Sequence, residues 1–339
     1  MRFLRWTAII LTGLACLYLA ICTTLVFWPY PEPFAGERFS LEEMRAAETA
    51  AGADFGMDVP FREDTFATRD GETLFARRYG PEDGSAILFL HGVAADSSIL
   101  NRFAGQLQVA TGAEVITPDL RGHGRSSGDR FNLDHTGQYE EDVEDMLAAL
   151  GATRPGRPVV LGGHSMGGGI SLRYALRKEA PAVDGYLLIA PNFGDPVRHP
   201  PPEPSSEEAR EGSRYVQMNG KRLMGQIFLG LVGIHVFERL PVINFNKPPE
   251  FPAYSFAAIA SAQPNPPEDA AVALEAIKVP LLVVVGANDE VFDAGRYEPL
   301  VSTHSKGETH VFAGLTHQGV LNSPAVHDRI GVWYATLGE

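Results

Sequence analysis

Gly163-His164-Ser165-Met166-Gly167 places a hydroxyl nucleophile between two positions without side chains. A serine hydroxyl is a weak nucleophile at neutral pH, so it needs a neighbouring base and a backbone turn that presents it to substrate. Gly-x-Ser-x-Gly does this between a strand and a helix, where flanking side chains would meet neighbouring backbone. That context is expected here, because apolar residues 158–161 precede the motif and a helical pattern over 170–178 follows it. Ser165 is the expected nucleophile, and the helix start behind it adds partial positive charge near a developing oxyanion.

The oxyanion of a tetrahedral intermediate takes backbone donors. One is expected from the N–H of Met166 and the other from the N–H of Val93, in the loop that His91-Gly92 opens after the apolar run 86–90. Loss of one such donor typically costs about 2.7–4 kcal/mol. His91 itself reads as a structural loop residue. The general base must stand at a later strand end. Of the ten histidines, His317 follows the run 309–312 in a loop, whereas His310 lies within that run and His327 within a terminal helical pattern. For the acid that orients it, Asp289 follows the run 281–285, with Asp293 as a near rival and Asp195 as a distant one. A buried carboxylate there would hold the imidazole tautomer and stabilise the imidazolium. This chemistry is acyl transfer, and it calls for no metal and no organic cofactor.

These residues need a rigid frame. Short apolar runs at 86–90, 114–117, 158–161, 186–190, 281–285 and 309–312 alternate with helical patterns, which predicts an α/β fold with a mostly parallel sheet covered on both faces. Residues 64–79 alternate around Asp70-Gly71 and predict a β-hairpin that opens the domain. The rhythm breaks once, over 192–279, which reads as a cap inserted into a core formed by 61–191 and 280–339. Its apolar stretch 224–240 is expected to be one helix, either lining a substrate entrance over Ser165 or simply buried. The acidic run Glu140, Glu141, Asp142, Glu144 and Asp145 is expected on the solvated face of a helix.

At the N-terminus, residues 6–28 form 23 consecutive uncharged positions, about 35 Å as a helix and enough to cross a bilayer with some tilt. Trp6 lies at one end and Trp28 with Tyr30 at the other, and Arg2 and Arg5 would keep the N-terminus cytoplasmic. Residues 1–30 therefore read as an anchor, 31–60 as a stalk with a helix over 41–51, and the body as extracytoplasmic. The competing reading is a signal peptide cleaved after Cys22, or more weakly a lipoprotein signal. Cys16 and Cys22 both lie in this run, so the body has no thiol chemistry. With 42 acidic against 28 basic residues, net charge −14, clustered cations for nucleic acid are absent. At 45% hydrophobic and 21% charged over 339 residues, the chain can bury a large core.

With His91-Gly92, Asp119-Leu120-Arg121-Gly122-His123-Gly124-Arg125-Ser126, the glycine-rich run 163–168, Asp289 and His317 in that order, the chain resembles the α/β-hydrolases over residues 60–337. The likeness is to the group of monoacylglycerol lipases, lysophospholipases and serine aminopeptidases. It implies a Ser165–Asp289–His317 triad, a structural role for 119–126, and hydrolysis of an ester, with a lipid-like acyl chain favoured by the membrane tether. Peptidase, amidase, thioesterase and perhydrolase activities occur on the same fold, and a non-catalytic binding protein is the remaining alternative. Serine at position 165 argues against dehalogenase or epoxide hydrolase chemistry. Oligomeric state is not readable from these residues.

Overall fold

A computed structural model describes residues 2–30, 33–34, 38–82, 84–153, 155–201, 203, 206, 215–247, 251 and 253–338. The apolar runs form strands close to where they are expected. These are β3 (Ala86–Leu90), β4 (Glu114–Pro118), β5 (Val159–His164), β6 (Gly185–Ile189), β10 (Leu281–Gly286) and β11 (Glu308–Phe312). The hairpin is β1 (Arg62–Ala67) with β2 (Thr73–Tyr79), turning through Gly71 at φ 91°. One eight-stranded sheet results, in the order β1-β2-β4-β3-β5-β6-β10-β11. Pairing is parallel from β4 through β11 and antiparallel at β1–β2 and β2–β4.

Every residue of β3, β5, β6 and β10 is buried, because side chains alternate between two apolar layers. Leu88, Leu161, Leu188 and Val283 point into the layer closed by α4 (Gln138–Thr153), α5 (Met166–Tyr174), α8 (Ala270–Ala276) and α9 (Tyr297–His304). Ile87, Val160, Leu187 and Leu282 point into the other, closed by α3 (Asn101–Thr111) and α10 (Pro324–Ala335). The acidic run on α4 differs from expectation. Glu140 and Asp142 are buried and carry ion pairs to Arg173 and Arg121, because α4 packs its flank on α5 and on the loop after β4.

Between β6 and β10 the chain builds a three-stranded antiparallel sheet, β7 (Val216–Met218), β8 (Pro241–Phe245) and β9 (Tyr254–Ser255), with α6 (Gly220–Gly230) and α7 (Phe256–Ala260). Strands this short leave no periodicity to read. The helix expected over 224–240 ends at Gly230 and gives way to turns, where Gly233 at φ 77° takes the left-handed conformation that stops a helix. Leu229 of α6 packs with Cys22 and Val26 of α1 (Arg2–Val26). Between α1 and β1 lies α2 (Leu41–Ala50), started by a capping box between Ser40 and Glu43.

Candidate active site

β5 runs straight into Ser165, which takes φ 54° and ψ −116° before α5 begins at Met166. A non-glycine residue in that region stores about 1–3 kcal/mol of strain and persists only when its surroundings impose it. They do so here. The Ser165 N–H donates to the Ile189 carbonyl at 3.1 Å, and the Ser165 carbonyl accepts from Gly169 at 3.1 Å and Asn192 at 2.9 Å. A Cβ at Gly163 would lie 2.3 Å from the Gly167 carbonyl carbon, and one at Gly167 would lie 2.4 Å from the Leu90 oxygen. The two motif glycines therefore let α5 start hard against β5 and β3.

The loop after β3 passes beside the serine, since a Cβ at Gly92 would sit 3.4 Å from Ser165 Cβ. His91 orders this loop. Its Nε2 accepts the Leu120 N–H at 3.0 Å, so Nδ1 carries the proton and donates to the Gly92 carbonyl at 2.8 Å. In a trans peptide the C=O and the next N–H point opposite ways, so holding the Gly92 carbonyl fixes the direction of the Val93 N–H. The structural role of His91 thus acquires a specific content.

One residue further on, Ala94 takes φ 55° and is held from both sides by the inserted segment. Its N–H donates to the Tyr254 hydroxyl at 2.6 Å, and its carbonyl accepts from Lys247 Nζ at 2.6 Å. His123 completes the chain. Burial, then the neighbouring His91, drives its pKa down to about 3, so the ring is neutral. Nδ1–H donates to the Arg121 carbonyl at 2.9 Å, which leaves Nε2 to accept from the Tyr254 hydroxyl at 2.7 Å. Nothing in the sequence pattern singles out Tyr254 or Lys247. His123 is visible there only as part of the loop 119–126.

His317 lies in the loop after β11, and its Nδ1 donates to Asp289 Oδ2 at 2.8 Å. Asp289 Oδ1 accepts the N–H groups of Val291 and Phe292, each at 2.8 Å. Burial alone would raise the Asp289 pKa, but the hydrogen bond and charge of His317, with those backbone donors, outweigh it and lower the pKa. The rivals stand elsewhere. Asp293 binds Gly295 N–H and Arg296 at the surface, and Asp195 is exposed with Arg198 at 3.3 Å. The serine motif and the histidine loop meet through His164. Its Nε2 lies 2.9 Å from the His317 carbonyl, with ring centroids 4.7 Å apart. Burial and the charge of His317 push the His164 pKa down to about 3, so this neutral ring donates to that carbonyl and holds the loop. Ser165, Asp289 and His317 are all buried. Among the described residues no cluster of His, Cys, Asp or Glu is arranged to hold a metal ion.

A family model described as serine aminopeptidase, S33, matches residues 81–219. A monoacylglycerol lipase of Mycolicibacterium smegmatis is 25% identical over 254 residues, covering 70% of this chain and 82% of that protein. Among solved structures, a thermophilic esterase from Thermogutta terrifontis has a TM-score of 0.53 at 20% identity, covering 82% of this chain and 100% of its own. A bacterial membrane phospholipase A has a TM-score of 0.52 at 19% identity, with 100% of both chains covered. Sheet order, serine turn and relatives agree: the chain has the α/β-hydrolase fold and resembles the esterases and lipases built on it.

Proposed function

We propose that this protein is a membrane-anchored serine hydrolase that cleaves apolar, lipid-like carboxylic esters through Ser165, His317 and Asp289. The observation that carries this reading is the Asp289–His317 hydrogen bond of 2.8 Å in a loop tied to the strained Ser165 turn. Ser165 Oγ attacks the ester carbonyl as His317 Nε2 takes its proton, and the N–H groups of Val93 and Met166 receive the oxyanion. His317 then protonates the leaving alcohol, and a water deprotonated by the same nitrogen releases the acid and restores the serine. Asp289 keeps the Nδ1 proton in place throughout, so Nε2 is the free base.

The anchor is supported by exposure. Trp6, Ile9, Ile10, Leu11, Leu14 and Leu17 are all more than half exposed along α1, a surface that water disfavours and lipid accepts. Retention rather than cleavage is supported by Cys22 and Val26, which are buried against the body. With Arg2 and Arg5 on the cytoplasmic side, the body is extracytoplasmic. The peptidase named in the family description makes amides the second substrate class to assay.

The test is Ser165→Ala in the full chain, assayed with p-nitrophenyl esters of graded chain length, peptide amides and a fluorophosphonate probe. Turnover and labelling are expected to disappear with the fold intact, with long acyl esters the best substrates of the unaltered enzyme. Unchanged ester hydrolysis by the variant would refute the assignment.

A further inference from the structure

We infer that α6 and the turn after it enter the lipid leaflet beside α1, so that two segments rather than one hold the bilayer. The inference rests on the membrane-anchor reading and extends it to the inserted segment. Leu223 through Phe237 contain no Asp, Glu, Lys or Arg. Just before them, Lys221 Nζ lies 3.6 Å from the Trp28 ring, and Arg222 Nε donates to the Val26 carbonyl at the end of α1 at 3.0 Å. Two cations and a tryptophan at one level are the groups that settle at a membrane–water boundary.

From that level α6 runs back along α1. Gly225 lies against Cys22 and Val26, and the Phe228 carbonyl accepts the Tyr18 hydroxyl. Trp28 to Tyr18 is ten residues of chain, a helical descent of about 15 Å, half of the ~30 Å hydrocarbon core. The far end is apolar at Leu231, 76% exposed, and Val232, 53%, beside the half-exposed Met224 and Ile227; the chain then returns past His235, which pairs with Glu238, and Val236, 73% exposed, to Phe237, whose ring meets Phe27 at the boundary level. This surface is continuous with the exposed apolar face of α1.

Hydrocarbon also requires that backbone groups be satisfied within the protein. At the tip the N–H groups of Leu231, Val232, Gly233 and Ile234 donate back to Ile227, Leu229, Gly230 and Leu229, at 2.9–3.1 Å. The polar Gln226 is turned inward and donates to the Phe237 carbonyl. A second copy of the chain would cover the same residues but would not explain the boundary-seeking cations at the other end of α6.

The test places a reporter at the tip of the full-length protein in vesicles. Val232→Trp and Val236→Trp each add emission to that of Trp6, Trp28 and Trp333, and Val109→Trp is the control, since Val109 is 81% exposed on α3, a helix that packs on α10 and β4. In phosphatidylcholine brominated midway along its acyl chains, the emission added at 232 should be mostly quenched, that at 236, nearer the boundary, partly quenched, and that at 109 retained. If the protein floats with vesicles while both tip reporters escape quenching, the tip lies outside the leaflet or against another copy, and this inference falls while the anchor stands. If the protein does not float with vesicles at all, the anchor reading fails and takes the inference with it.

Discussion

Replacing Asp289 by asparagine asks one residue to satisfy two incompatible demands. Asp289 accepts on both oxygens: Oδ2 takes the His317 Nδ1–H at 2.8 Å, and Oδ1 takes the N–H groups of Val291 and Phe292 at 2.8 Å each. Asparagine has one acceptor oxygen and one NH2. Two backbone donors outnumber one imidazole donor, so the carbonyl oxygen should face Val291 and Phe292 and the NH2 should face His317. Nδ1 must then accept, the ring proton moves to Nε2, and Nε2 can no longer take a proton. The wrong tautomer in a serine protease lowers kcat about 10⁴-fold, a barrier increase of about 5.5 kcal/mol, and a comparable loss is expected for Asp289→Asn. The asparagine keeps three hydrogen bonds, so Tm should move little. Steady-state kinetics on a soluble p-nitrophenyl ester, paired with thermal unfolding, reads both quantities. Asp293→Asn should leave kcat within about threefold, because its partners are a turn N–H and Arg296 at the surface. A kcat for Asp289→Asn within tenfold of the unaltered enzyme, or a larger loss for Asp293→Asn, would show that the acid has been misassigned.

Tyr254→Phe removes the hydroxyl that accepts the part-buried Ala94 N–H and donates to the buried His123, leaving the His123 acceptor unpaired at about 1–3 kcal/mol. Tm should fall, and kcat should fall more than KM rises because Ala94 follows Val93; an unchanged Tm would contradict the hydrogen-bond chain. His164 supplies a pH test. Its folded pKa of about 3 lies below the roughly 6.5 of an unfolded histidine, so the unfolded chain takes up the proton first, and its contribution is intact above about pH 6.5 and erodes towards about pH 3. The stability difference between the unaltered protein and His164→Asn should therefore shift by about 2 kcal/mol, against the unaltered protein, between about pH 7.5 and about pH 5. Denaturant unfolding in detergent at both pH values measures it, and a difference independent of pH would mean that the ring is solvated.

Features governed by neighbours along the chain are legible in the residues alone. The strands of the sheet can be read because a strand buried on both faces must be apolar throughout, as in β3 and β10. The turn at Ser165 is legible because Gly163 answers a clash with Gly167 four residues on, and α1 because its apolar run is long and uninterrupted in the residues themselves. β7, β8 and β9 are not, since two to five residues carry no usable period. Glu140 and Asp142 look solvated in the acidic run and are buried in the fold, because their partners Arg173 and Arg121 come from other elements.

By itself, then, the sequence determined the doubly covered sheet, the serine turn and the presence of a membrane-length helix, since each follows from spacing along one segment. Only tertiary structure decided that His317 meets Asp289 rather than Asp293, that Tyr254 and Lys247 grip Ala94, and that α6 lies along α1. Those pairings join residues 28 to more than 200 positions apart. Side-chain chemistry makes each of them possible, but only the packing of complete elements selects it over its competitors.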